Sequence, residues 1–174
     1  MKKNKKLIKL ILCSLFTALG VGLLWIGGAL GDMDLTIAAV ASLLILIIII
    51  EINSKYALLV YMATSALSLI LFAGYFITVI YSLFVGIYPI LKFLFEKTGK
   101  IVSLLLKLVF MNVMLTALIF IGKKLFGIEE DMLIWLVYIL SNVCFLLFDY
   151  VLTKLKDLYL IAFQKRLGIN KLLK

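Results

Sequence analysis

Long apolar runs broken by brief charged or glycine-containing stretches recur along the chain, and the pattern is that of membrane-spanning helices, not of elements with one buried and one solvated face. A hydrocarbon layer about 30 Å thick takes roughly 20 apolar residues per helix, fewer where flanking side chains reach the interface. On that criterion the spans run over residues 7–30, 35–50, 56–73, 75–91, 101–121 and 132–152. The expected fold class is all-α: a polytopic integral membrane protein folded as a compact bundle of six transmembrane helices. Residues 1–174 then form a single transmembrane domain, with nothing left over for a soluble one.

The connections are short, and the link at Gly74 is a single residue. The apolar stretch 56–91 is therefore either a tight hairpin or a broken, re-entrant helix; Lys55 and Lys92 at its two ends favour the hairpin, which puts both on one side. Pro89, the one proline, removes a backbone donor and is expected to kink or end the fourth span. Beyond residue 152, Leu155, Leu158 and Ala162 keep helical spacing among Lys154, Lys156, Lys165 and Arg166, which predicts a basic amphipathic tail over 153–174 that lies along, or projects from, the inner membrane surface.

Charge then orients the bundle. Of the 18 basic residues, Lys2, Lys3, Lys5, Lys6, Lys9, Lys55, Lys92, Lys97, Lys100, Lys154, Lys156, Lys165, Arg166, Lys171 and Lys174 fall on one side of the six-span threading. Lys123 and Lys124 fall on the other, beside Glu129, Glu130 and Asp131, and Lys107 lies inside a span. Lysine and arginine collect on the cytoplasmic side, so both termini are expected in the cytoplasm, in a prokaryotic plasma membrane. A net charge of +9 is compatible with nucleic-acid binding, but these residues sit at helix ends and form no continuous soluble face, so no nucleic-acid partner is expected; the lipid bilayer is. Hydrophobic residues make up 66% of the chain, more than a water-soluble domain of this size needs. The first apolar run exceeds a signal-peptide core of about 7 to 15 residues and lacks a clear small-x-small cleavage site, so it is read as a retained span.

Catalytic and cofactor chemistry find little here. Histidine is absent, which removes the commonest proton shuttle and transition-metal ligand, and Cys13 and Cys144 are read as packed thiols inside spans. The fragment from Lys97 to Lys100 fails as a phosphate loop, because Leu94 stands at the first glycine position and Ile101 where Ser or Thr is required. No catalytic residues, cofactor or metal site are expected. Asp32 and Asp34 resemble half of an oxygen-ligand cation site, but the simpler reading is a solvated loop with Asp34 as N-cap.

Polar residues within the spans carry more information. Lys107 lies about 9 Å into the fifth span at 1.5 Å per residue, a depth that calls for an ion pair or for snorkelling. Asp149 on the antiparallel sixth span is the expected partner, with Glu51 and Glu96 as further candidates. Asn112 and Asn142, nearer the middle of spans five and six, need hydrogen-bond partners, which a neighbouring helix or a ligand supplies. Trp135 and Tyr138, with Tyr75 and Tyr81, are either interfacial anchors or part of an outward-facing pocket. On the first span Ser14, Ala18 and Gly22 recur every fourth residue, as do Gly27 and Gly31. Such small-residue faces allow close helix approach, either within the bundle or against a partner subunit.

Six spans, both termini inside, short loops and the Ser14-x-x-x-Ala18-x-x-x-Gly22 face together resemble the S components of energy-coupling factor transporters, small membrane proteins that capture vitamins and related micronutrients. The resemblance implies that this face docks on a transmembrane coupling subunit driven by two ATPases in other chains. It implies a small-molecule pocket in the outer half, bounded by the first loop and spans four to six, with Asp32, Tyr75, Asn112, Trp135, Tyr138 and Asn142 as candidate ligand residues. Metal-capturing members rely on an N-terminal histidine, so nickel and cobalt are not expected substrates. The competing expectation is a non-transporting accessory or assembly protein that uses the same small-residue face and the basic tail to hold membrane partners.

Overall fold

The computed structural model describes residues 2–31, 33–126 and 134–163. Regular structure among them is helical throughout: α1 (Lys2–Leu30), α2 (Asp34–Glu51), α3 (Ser54–Leu71), α4 (Phe76–Ile80), α5 (Tyr88–Phe95), α6 (Lys100–Phe126) and α7 (Ile134–Leu158), with π-helical turns at Tyr81–Val85 and Tyr159–Phe163. α4, the first π turn and α5 together make the fourth span, so six stretches are long and apolar enough to cross a membrane. The protein is a polytopic integral membrane protein folded as a compact helical bundle. Short reversals place the start of α1, the α2–α3 and α5–α6 turns and the end of α7 on one face, the terminal face. The α1–α2 and α3–α4 turns and the end of α6 lie at the opposite face.

Apolar side chains divide between two surroundings. Leu24, Ala38, Ala41, Ile77, Tyr81, Phe84, Tyr88, Met111, Phe145 and Leu152 form one core, and Cys13, Ile45, Ile48, Ala57, Val60 and Ile90 a second. Leu15, Leu19, Leu105, Val109, Ile139 and Leu147 are exposed on the outside of the bundle, the distribution expected where lipid is the solvent. Because hydrocarbon gives apolar helices little reason to associate, backbone proximity and polar contacts must hold them. α1 shows the first device. A Cβ added at Gly28 would lie 2.2 Å from a ring carbon of Tyr75 and 2.9 Å from its Cβ, so the α3–α4 turn packs directly on the α1 backbone.

The fourth span is the most enclosed and the most irregular. Gly86 N–H bonds to the Tyr81 carbonyl at 2.9 Å, a π-type step that leaves the Ser82 carbonyl without its usual α-helical donor. The Tyr61 hydroxyl of α3 donates to that carbonyl at 2.5 Å, so a neighbouring helix satisfies a backbone group that water cannot reach. Gly86 permits the step: a Cβ there would lie 2.8 Å from both the Tyr81 carbonyl oxygen and its ring. The chain restarts as α5 with Pro89 in its first turn.

Several local expectations change accordingly. Pro89 does not end the fourth helix; the break precedes it, and proline is suited to a first turn, where its missing N–H would have had no helical acceptor. Asp34 is the first residue of α2 and not its cap; Met33 occupies the cap position and its side chain makes no cap bond. After residue 152, as far as the stretch is described, α7 runs on to Leu158 and into the second π turn. There Tyr159 donates to Glu51 Oε1 at 2.9 Å, tying the end of the sixth span to the end of α2. Residues 164–174 of the expected tail lie outside the described residues.

Tyr61→Phe strands the Ser82 carbonyl in an apolar setting and should destabilise the fold by about 1 to 3 kcal/mol, read as a lowered unfolding midpoint in detergent. Gly86→Ala should lower it further, because the collision involves backbone as well as ring atoms.

Candidate functional site

Asp149, near the terminal end of α7, gathers side chains from three helices. Its Oδ2 receives Lys107 Nζ of α6 at 3.1 Å, and its Oδ1 receives both Lys92 Nζ and the Tyr88 hydroxyl of α5, the latter at 2.5 Å. Lys92 also donates to the Asp149 carbonyl at 2.8 Å and to Thr153 Oγ1 at 2.8 Å, which gives each of its three N–H donors an acceptor. Glu96 supplies the second carboxylate, 3.4 Å from Lys92, 3.5 Å from Lys107 and 3.7 Å from Lys156. Lys92 is only 3% exposed and Lys107 7%, so both cations are withdrawn from solvent and depend on these partners. This polar lock holds α5, α6 and α7 at one register.

An aromatic layer sits directly above it. Tyr88, whose hydroxyl belongs to the lock, meets Phe145 edge-on at 4.9 Å between centroids and lies 5.8 Å from Phe148 and 6.3 Å from Phe110. Phe84 adds contacts to Phe110 at 5.9 Å and Phe145 at 5.8 Å. Offset and edge-on pairs of this kind contribute on the order of 0.5 to 1.5 kcal/mol each beyond the area they bury.

On the other side of that layer is a cavity of about 620 Å³. Leu35, Thr36, Gly122 and Lys123 line it at the opposite face; Phe76, Ile80, Leu115 and Leu118 form its walls, and Phe84, Phe145 and Phe148 its floor. Its size falls in the range of small-molecule sites, about 300 to 1,000 Å³. Thr36, Ser141 and Lys123 are the polar or charged side chains among a lining that is otherwise apolar or carries the thiol of Cys144. The chemistry favours a mostly apolar ligand with few hydrogen-bonding groups. Among the described residues no group of three or more His, Cys, Asp or Glu side chains is placed to hold a metal ion.

The sequence candidates divide by location. Lys107 and Asp149 are brought together, and the lock includes Lys92, Glu96, Tyr88 and Thr153 as well. Asn112 and Asn142 face each other across α6 and α7 with reciprocal amide bonds of 3.2 and 3.1 Å, and each also donates to the carbonyl four residues before it. Tyr138 joins this contact through Thr116 Oγ1 at 2.7 Å. Tyr75 packs on Gly28, and Trp135 is 77% exposed on the outside of the bundle. Asp32 lies outside the described residues. None of Tyr75, Asn112, Trp135, Tyr138 and Asn142 lines the cavity. The asparagines bond each other because hydrocarbon offers no other partners, and Trp135 has the exposure of an interfacial anchor.

The small residues of α1 also separate. Ser14 and Ala18 are exposed, and a Cβ at Gly22 would meet nothing within 4 Å, so this face looks away from the bundle. Gly27 looks inward, where a Cβ would lie 2.2 Å from Ile77 Cδ1. Cys13 is buried, whereas Cys144 is exposed and borders the cavity, contrary to the packed thiol expected there.

Sequence reasoning placed Lys92 among the surface charges and missed its central role. The signal was present: Tyr88, Lys92 and Glu96 recur every fourth residue and so share one helical face. The cavity lining had no such signal, since phenylalanine and leucine read alike whether they face lipid, core or ligand. No family model matches the chain, and no curated protein or solved structure matches it.

Asp149→Asn leaves two enclosed lysines without their carboxylate and should cost about 3 to 5 kcal/mol, the usual range for breaking a buried pair from one side. The double change Asp149→Leu with Lys92→Met, measured by unfolding in detergent, should recover part of that loss, since it removes charge from both sides of the contact.

Proposed function

We propose that the chain is the membrane-embedded substrate-binding subunit of a micronutrient uptake transporter, driven by a coupling subunit and ATPases in separate chains. The cavity carries this reading. It has the volume of a small-molecule site, reaches the face opposite the termini, and is floored at mid-depth by aromatic side chains above a polar lock. A compartment approached from one face and closed toward the other suits capture on one side of a membrane. If basic residues mark the cytoplasmic side, that capture is from outside. The lining restricts the substrate to a largely apolar molecule, vitamin-like in size.

The outward face of α1 supports the second half of the reading. Ser14, Ala18 and Gly22 present a surface that another helix can approach closely and that the bundle itself leaves uncovered. Asn112 and Asn142, bonded to each other, stabilise the α6–α7 contact beside the cavity.

Wild-type protein purified in mild detergent should carry a bound small molecule detectable by mass spectrometry of the denatured sample. Ala39→Trp, which fills the cavity wall, should carry none while retaining its unfolding midpoint. A well-folded wild-type preparation that yields only lipid and detergent would count heavily against the proposal. Gly22→Leu should leave both stability and ligand unchanged but reduce recovery of the coupling subunit and ATPases in a pull-down, because a Cβ at this position meets nothing within 4 Å in the isolated chain.

A further inference from the structure

A second recess lies at the terminal face, beside the polar lock and separated from the cavity by the aromatic layer. Its volume is about 240 Å³, and Glu96, Gly99, Lys100, Ser103, Leu104 and Lys107 line it. α6 begins here. Ser103 N–H bonds to the Gly99 carbonyl at 2.9 Å, so the amides of Lys100, Ile101 and Val102 precede the first intrahelical acceptor. No acidic residue occupies the first turn, and the Thr98 hydroxyl is turned to the Phe95 carbonyl, to which it donates at 2.7 Å. The positive end of a 27-residue helix thus opens toward the recess.

Ser103 is the independent indication of a ligand. It is 4% exposed, lines the recess, and its hydroxyl has no hydrogen-bond partner among the described residues. What accessibility the residue keeps is onto the recess, so a partner for its hydroxyl must come from there. Lys107 has a donor to spare as well: its three N–H groups face two carboxylate partners, Asp149 at 3.1 Å and Glu96 at 3.5 Å. Around the recess Lys92, Lys100, Lys107 and Lys156 outnumber Glu96 and Asp149, and the Glu96 carboxylate is already shared by three of those lysines. Amides, hydroxyl and surplus positive charge converge on an acceptor-rich anion, the chemistry of a phosphate.

We infer that this recess binds the phosphate of an anionic phospholipid headgroup. The lipid source is favoured over a free ion because the recess opens onto the outer surface of α6, where Ile101 is 78% exposed, Leu104 48% and Leu105 58%. Leu104 both lines the recess and faces outward, so acyl chains can run down α6 from a phosphate held at its start. Basic recesses between helices at a membrane surface hold anionic headgroups by the same combination of charge and shape. A lipid there would bridge α5 and α6 next to the lock and stabilise the register that closes the floor of the cavity.

The test uses the full chain in detergent, stripped of lipid and offered dioleoyl phosphatidylglycerol or dioleoyl phosphatidylcholine, with bound lipid counted by native mass spectrometry. Phosphatidylglycerol should bind in clear preference to phosphatidylcholine. Lys100→Ala should weaken it by roughly fivefold, the factor expected for one lysine near an anionic lipid, and Lys55→Ala, on the same face but away from the recess, should not. Ser103→Leu, which fills the recess, should abolish the preference. Equal binding of the two lipids overturns the inference, as does equal loss in Lys100→Ala and Lys55→Ala, which would mean diffuse surface charge. Inorganic phosphate is tested in parallel; stabilisation by phosphate without a lipid preference assigns the recess to the free ion and overturns the lipid source. None of these readouts depends on a molecule in the larger cavity, so failure here leaves the transport proposal standing.

Discussion

A carboxylate held between two enclosed lysines is the contact on which the second half of this bundle depends. Asp149 joins Lys92 and Lys107, and through them α5, α6 and α7, at the terminal face. In water the apolar faces of these helices would supply the association energy, but in hydrocarbon they gain little by exchanging lipid for one another. Polar contacts then decide which helices meet and at what depth. The lock does this near the terminal face and the Asn112–Asn142 pair does it nearer mid-membrane, so α6 and α7 are pinned at two heights although they are the least enclosed helices of the fold. The first three helices use a different device, close approach at glycine, as at Gly20 of α1, where a Cβ would lie 3.1 Å from Thr64 Cγ2 of α3.

The fourth span connects the two regimes, and its irregularity follows from that position. Its π step at Gly86 releases a carbonyl that Tyr61 of α3 satisfies, while a few residues later Tyr88 and Lys92 reach into the lock on α7. The break falls where the span passes from one set of contacts to the other. The cost of irregular backbone in an apolar medium is contained because protein groups, not lipid, surround it. The same span supplies Phe84 to the cavity floor, so the break, the lock and the cavity are features of one structural solution.

Substrate capture and lipid recognition, as proposed here, draw on opposite ends of this arrangement. The cavity is apolar and lies toward the face away from the termini; the basic recess is polar and lies at the terminal face. Tyr88 links them physically, with its ring in the layer under the cavity and its hydroxyl on Asp149. Any change of register among α5, α6 and α7 must therefore alter the lock and the cavity floor together.

Hydropathy along the chain determined the membrane class, the helical fold and the number of spans, because lipid forces every backbone polar group to bond within its own helix and so makes span length readable from composition. Charge placed Lys107 at a depth that demanded a partner and singled out Asp149, since an enclosed cation has few acceptable neighbours. Tertiary structure alone decided that Lys92 is the more enclosed of the two lysines, that Asn112 and Asn142 satisfy each other, and that Ser14, Ala18 and Gly22 look outward while Gly27 looks in. It alone decided where the cavity lies. Apolar side chains carry no directional signal in sequence, whereas the space between helices is set by crossing geometry, a backbone break and a few polar contacts far apart in the chain.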